Sequence, residues 1–120
     1  MGLAAGIVIG LVAALHAWFL VLEMFLWKTP RGLATFGMTA EDAETTATLA
    51  ANQGLYNGFL VAGLVWGLVA TDPVGFRVSA FFLTCVVVAG GYGAATVSRR
   101  ILFVQALPAL VGLALLLAAH

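Results

Sequence analysis

The stretch LAAGIVIGLVAALHAWFLVLEMFLW, residues 3–27, decides the fold class, and Glu23 is the only Asp, Glu, Lys or Arg in it. A helix needs about 20 mainly apolar residues to cross the hydrocarbon core of a bilayer, and this stretch exceeds that length. It has no basic segment at its start and is longer than the roughly 7–15-residue apolar core of a signal peptide. We therefore expect a retained transmembrane helix.

The composition of the whole chain agrees with a membrane protein. Of its 120 residues, 63% are hydrophobic and 8% are charged, whereas soluble domains carry about 25% charged residues. Five basic and five acidic residues cancel, and no basic patch is present, so nucleic-acid binding is not expected. The composition predicts an all-α integral membrane protein with membrane lipid as its surroundings.

Four apolar segments are long enough to span a bilayer, and they predict a single four-helix bundle over residues 1–120. The predicted spans are residues 3–27, 50–70, 76–97 and 101–119. Pro30 should stop the first helix, because proline bars the preceding residue from helical geometry. Thr39 with Asp42 resembles a capping box, which predicts a helix start outside the membrane over residues 40–49.

Basic residues in the predicted links set the orientation. Lys28 and Arg31 lie in the first link, Arg99 and Arg100 in the third, and only Arg77 in the second. Because lysine and arginine favour the cytoplasmic side, we expect both termini on the outer side.

Small residues predict which helix faces pack, because small side chains let transmembrane helices approach closely. The first helix carries Gly2, Gly6, Gly10 and Ala14 at four-residue spacing. Comparable sets follow in the second and third spans: Gly54, Gly58, Gly63 and Gly67, then Ala89, Gly90, Gly93 and Ala94.

Polar side chains recur at helical spacing in every span. At about 100° per residue, each helix is expected to turn one polar face toward the bundle, and the alternating directions bring these faces to one level near the cytoplasmic end. The predicted ligand-binding residues are Glu23, Asn52, Gln53, Tyr56, Asn57, Tyr92 and Gln105, with His16, Thr96 and Arg100 as secondary candidates.

Two interpretations of Glu23 remain open. A carboxylate within a span is costly and often functional, so Glu23 could be a titrating group or pair with a ligand. It could equally be fixed by Asn52, Gln53 or Arg100 and lock the bundle. His16 is expected to be a core histidine, and neither a metal site nor a cofactor is predicted, since zinc needs three or four ligands.

Five segments resemble a known family. They are LEM (22–24), WKTPRG (27–32), AANQGLYNG (50–58), GYGAAT (91–96) and QALPA (105–109). The chain is similar over nearly its whole length to small bacterial proteins grouped as domain of unknown function 1304. The resemblance implies a four-span protein of the bacterial inner membrane, and it implies no established activity.

Three hypotheses of function follow. The first is a carrier or binder of a small, partly apolar molecule with Glu23 at its centre, and a chain this short would need a homodimer to enclose a path. The second is a membrane-embedded enzyme that acts on a lipid or quinone, with Glu23 and His16 as acid and base. The third is a structural subunit of a membrane complex.

Overall fold

The computed structural model describes residues 1–120, and its regular structure is entirely helical. The helices are α1 (Leu3–Met24), α2 (Pro30–Phe36), α3 (Ala40–Val69), α4 (Val74–Thr96) and α5 (Leu107–Ala118), with a π-helical turn at Leu102–Ala106 directly before α5. The predicted all-α class is confirmed.

Two of the helices, α1 and α4, are long and apolar enough to cross a membrane. The helix that runs through the π turn, Leu102–Ala118, is also apolar but shorter. Helix α3 is the longest, with 30 residues. Three carboxamides, Asn52, Gln53 and Asn57, lie near its middle, where its more apolar C-terminal half begins. These carboxamides lower its hydropathy.

Helix α1 ends three residues earlier than predicted, and Pro30 has a different role. Instead of only stopping α1, Pro30 occupies the first turn of α2, where its missing N–H costs nothing. Thr29 is the N-cap in an extended conformation, and its hydroxyl accepts a hydrogen bond from the Gly32 N–H at 3.3 Å. Gly37 closes α2 with a φ of 62°, which glycine adopts without strain. Threonine followed by proline was the signal for this short helix.

Helix α3 begins where the capping pattern predicts. The Thr39 hydroxyl accepts a hydrogen bond from the Asp42 backbone N–H at 3.1 Å, which satisfies one of the free donors at the helix start. From Ala40 to Val69 the helix extends about 45 Å.

The chain divides into two compact units. Unit 1 comprises residues 1–14 and 62–120, and unit 2 comprises residues 15–61. Buried apolar residues of unit 1 come from α1, α3, α4 and the last helical segment: Ala5, Ile9, Val12, Ala13, Leu64, Leu83, Val86, Ala106, Ala109 and Leu116. In unit 2 the buried apolar residues are Leu22, Ala43 and Ala50.

Glycine permits close helix contacts in unit 1, but not at every predicted position. A Cβ at Gly67 would lie 2.2 Å from Ser79 Oγ, and one at Gly90 would lie 2.7 Å from the Ala106 nitrogen. Gly6 and Gly10, by contrast, have no atom within 4 Å of a Cβ position. The expectation that these two glycines mark a packed face of α1 is wrong. The buried apolar residues of this helix in unit 1 are instead Ala5, Ile9, Val12 and Ala13.

The π turn precedes the only proline inside the last helical segment. The Leu107 N–H donates to the Leu102 carbonyl, five residues earlier. Pro108 follows and has no N–H, so regular α-helical pairing is already interrupted there. Gln105 lies within this turn and is partly buried.

We expect Gly67→Ala to destabilise the protein by about 1–3 kcal/mol, because the added methyl meets the backbone of Ser79 as well as its hydroxyl. The matched control is Gly6→Ala, also within a helix but with open space around it. Alanine should be neutral or stabilising there, by up to about 1 kcal/mol. Thermal unfolding of the two variants in detergent measures the difference. Equal effects would contradict the described packing at Gly67.

A second prediction concerns Asp72, which precedes α4. Its carboxylate lies 2.8 Å from the N-terminal ammonium group of Met1 and accepts a hydrogen bond from the Phe76 N–H at 3.1 Å. The hydrogen bond from the ammonium group is the main reason that the pKa of this carboxyl lies below its usual value. A lowered pKa stabilises the fold above the ordinary carboxyl pKa, and this contribution is lost as the pH falls through the lowered value.

Asp72→Asn should therefore lower the melting temperature at neutral pH, and the gap to wild type should close on acidification. Melting curves of both proteins between pH 7 and pH 2 measure this gap. A gap that stays constant over this range would show that the charge of Asp72 does not contribute.

Candidate functional site

The only carboxylate in α1 is hydrogen-bonded to a carboxamide of α3. Asn57 Nδ2 donates to Glu23 Oε1 within unit 2. Asn57 is only 6% exposed, while Glu23 is half-buried. We call Glu23, Asn57 and the residues packed between their helices (Leu20, Met24 and Gly54) the Glu23 site.

Gly54 brings the two helices of the site together. A Cβ at this position would lie 2.6 Å from Met24 Cγ, 3.2 Å from Glu23 Cβ and 3.3 Å from the Leu20 carbonyl oxygen. Any side chain here would push the helices apart. Because Asn57 is three residues after Gly54, it lies on the same face of α3 and can reach the carboxylate.

The polar arc predicted on α3 is only partly turned inward. The buried stripe of this helix in unit 2 consists of Ala43, Ala50, Gly54 and Asn57, which fall within about 60° of one another at 100° per residue. On the same reckoning, Gln53 lies about 70° from the middle of the stripe, and Asn52 and Tyr56 lie more than about 120° away.

Asn52, Gln53 and Tyr56 are accordingly exposed. The four polar residues, which include Asn57, cover a wider arc of α3 than the buried stripe does. Of these four residues, only Asn57 also belongs to the buried stripe. A ligand-binding role for the three exposed residues stays a prediction.

Next to the Glu23 site, contacts of Trp27 and Lys28 join the segment after α1 to the start of α3. The Trp27 indole N–H donates to Thr46 Oγ1 at 3.2 Å, and its ring lies 4.7 Å from that of Phe36. Lys28 Nζ lies 3.3 Å from Glu44 Oε2. Both ends of this ion pair are exposed, so it contributes little free energy.

Sequence reasoning missed Thr46 and Glu44 as partners. Each is sixteen or more positions from its partner, and no local pattern pairs them.

His16 is a core residue, as predicted. Its side chain is fully buried, and its ring meets Phe19 edge to face at 5.3 Å. Glu23 follows seven residues later, about 10 Å further along α1.

The remaining predicted residues belong to unit 1 and differ in exposure. Tyr92 is 72% exposed, and Thr96 and Arg100 are also exposed, while Gln105 is partly buried. The Thr96 hydroxyl donates to the Tyr92 carbonyl at 2.7 Å, a bond within its own helix. As ligand-binding residues, all four stay predictions.

The expectation that α4 turns its polar face, with Tyr92, toward the bundle is wrong, whereas the close packing predicted at Gly90 is confirmed. The helix buries the stripe Gly75, Ser79, Leu83, Val86 and Gly90. Cys85, Ala89 and Tyr92 instead border an open surface groove of about 520 Å³ with Phe81, Thr84 and Val88. Helical spacing identified a face of α4 that carries several polar groups. The helix packs instead through the stripe of small and apolar residues, which allows close contact with its neighbours.

The Glu23 carboxylate has acceptor capacity left over. A carboxylate has two oxygens and about four acceptor sites, and only one hydrogen bond, from Asn57 to Oε1, reaches it. The two ion pairs of the chain join Met1 to Asp72 and Lys28 to Glu44. Glu23 therefore has an amide partner and no cationic one.

We expect Asn57→Leu to destabilise the protein by about 1–3 kcal/mol, because the half-buried carboxylate loses its donor. Asn52→Leu is the matched control, since Asn52 lies on the exposed side of the same helix. Its effect should stay within about 0.5 kcal/mol.

A double-mutant cycle with Glu23→Leu separates the bond from the cavity that each change leaves. We expect a coupling energy above about 0.5 kcal/mol between positions 23 and 57. No coupling would contradict an energetic role for this bond.

Comparison with known proteins gives a family but no activity. The family described as "Protein of unknown function (DUF1304)" matches residues 10–117. The chain is 27% identical to the uncharacterised protein YpaA of Lactococcus lactis subsp. lactis (strain IL1403) over 102 residues, which is 82% of this chain and 85% of the relative. No solved structure matches the chain significantly. With nearly its whole length matched, the chain belongs to the DUF1304 family.

Proposed function

We propose that this protein is a multi-pass protein of the bacterial inner membrane that binds a small, partly apolar molecule at the Glu23 site and transports it. The observation that carries the proposal is the Glu23–Asn57 pair itself. A carboxylate that enters the apolar part of a protein is costly unless its charge is compensated. Here one amide is its only partner, which favours a role in ligand binding over a purely structural one.

The membrane setting of the proposal rests on α1 and α4, which are apolar enough to span a bilayer. We propose that α3 and the Leu102–Ala118 helix also cross the membrane, which gives four spans. The basic residues Lys28, Arg31, Arg99 and Arg100 favour cytoplasmic links between spans and outer termini. A homodimer would supply the second wall that a transport path through so small a chain requires.

An enzyme that uses Glu23 and His16 as acid and base is less well supported. His16 is fully buried, so a substrate would have no access to its ring. The roughly 10 Å between the two positions along α1 is also too long for direct transfer of one proton. We therefore assign His16 to the core.

The test is a thermal-shift screen of the purified full-length protein against a panel of small molecules with apolar bodies. A molecule that binds only the folded protein raises the free energy of unfolding by about 2.7 kcal/mol at a hundred times its Kd. We expect at least one panel member to stabilise wild type but not Glu23→Gln. Glutamine keeps the shape and an acceptor for Asn57 while it removes the charge.

Glu41→Gln is the matched control, because it makes the same chemical change at an exposed position of α3 and should respond as wild type does. Molecules that stabilise wild type are then tested for uptake into proteoliposomes. Equal stabilisation of Glu23→Gln would contradict the site. Stabilisation without uptake would contradict transport and leave a binding protein.

A further inference from the structure

We infer that the Glu23 site selects an organic monocation with an apolar body, such as an amine, quaternary ammonium or phosphonium compound. This inference rests on the proposed binding function and specifies the chemical class of the ligand. The observations that carry it are the charges and contacts of unit 2.

The first step is the charge balance around Glu23. The cations in this part of unit 2 are Lys28 and Arg31. The Lys28 ammonium is 3.3 Å from Glu44, and Arg31 forms no ion pair. His16 precedes Glu23 by seven residues in α1, and its ring is fully buried. Only Asn57 bonds to Glu23, so no cationic side chain compensates the carboxylate when it is ionised.

The second step is the position of Glu23 at the end of its helix. Glu23 lies in the last turn of α1, which ends at Met24. The C-terminal end of a helix carries a partial negative charge from its free carbonyl groups. In the same turn, the Leu20 carbonyl oxygen lies close to Gly54. The carboxylate and the helix end therefore have the same sign, so they attract a cation and repel an anion.

The third step is the apolar surface next to the carboxylate. Leu20 Cδ1 lies 3.0 Å from the Cβ position of Gly58, and Met24 packs against Gly54. Met24 and Phe25 follow Glu23 directly and are exposed. A ligand with a large apolar body can bury this surface, whereas an inorganic cation such as Na⁺ has no apolar body to do so and would find only one carboxylate and one amide.

The ligand class follows from the three steps together. A neutral apolar molecule would leave the charge of Glu23 uncompensated, and an anion would be repelled by it. A compact metal ion prefers several oxygen ligands. An organic cation compensates the charge and buries apolar area at the same time.

The experiment is equilibrium binding of three probes of similar size and different charge to the purified full-length protein in detergent. Tetraphenylphosphonium is the cation, tetraphenylborate the anion and triphenylphosphine oxide the neutral compound, each corrected for uptake by empty micelles. We expect saturable binding of the phosphonium to wild type and a Kd at least about tenfold higher in Glu23→Gln. The borate and the oxide should bind at least about tenfold more weakly than the phosphonium does.

Two variants keep the result interpretable. Glu23→Asp retains the negative charge on a shorter side chain, so it should keep the preference for the cation even if its affinity falls. Glu41→Gln should bind the phosphonium as wild type does. Circular dichroism and size-exclusion chromatography of each variant show whether it is folded before binding is compared.

The outcomes separate this inference from the proposed function. If the neutral or anionic probe binds as tightly as the phosphonium and still weakens in Glu23→Gln, the site stands and cation selectivity is overturned. If phosphonium binds wild type and Glu23→Gln equally, the role of Glu23 is overturned in both proposals. If no probe binds, cation selectivity is overturned, and the thermal-shift panel alone then decides the binding function.

Discussion

The close approach of α1 and α3 at Gly54 is the constraint on which the site depends. With no side chain at this position, the Leu20 carbonyl and the first atoms of the Glu23 and Met24 side chains occupy the space that a Cβ would fill. The hydrogen bond from Asn57 spans the remaining gap. Packing therefore comes first and the polar contact follows from it, because a hydrogen bond is effective only over a short range of distances.

The same constraint explains why the neighbouring contacts can form. Trp27 meets Thr46 and Phe36, and Lys28 meets Glu44, where the chain leaves α1, forms α2 and returns as α3. Thr29 and Gly37 fix the two ends of α2. None of these contacts is strong alone, but each limits how α1 and α3 can move within unit 2. A carboxylate with a single hydrogen bond needs such support to keep one geometry.

The sequence predicts the helical class, the start of α3 and the burial of His16, because each depends on a local pattern or on composition. It also predicts that Glu23 and Asn57 belong to one polar cluster, and a hydrogen bond joins the two side chains. The prediction of which helix face is buried fails where it rests on helical spacing alone. On α4 the polar face at Tyr92 was expected to turn inward, but the helix buries a stripe through Ser79 and Leu83, of which only Gly90 was predicted to pack. On α1 the glycines were preferred over Ile9. Partners distant in sequence, such as Thr46 for Trp27, are fixed by tertiary contact and leave no local signal.

The π turn at Leu102–Ala106 has a consequence for how the length of this chain can vary. A π turn is equivalent to an α-helix into which one extra residue has been inserted. Loss of one residue from this segment would leave the helix faces on its two sides in nearly the same orientation, because the wider π turn already absorbs the extra residue. This part of the protein can thus absorb a deletion without a change of register, while a deletion in α3 between Gly54 and Asn57 would turn one of them off the shared face by about 100°.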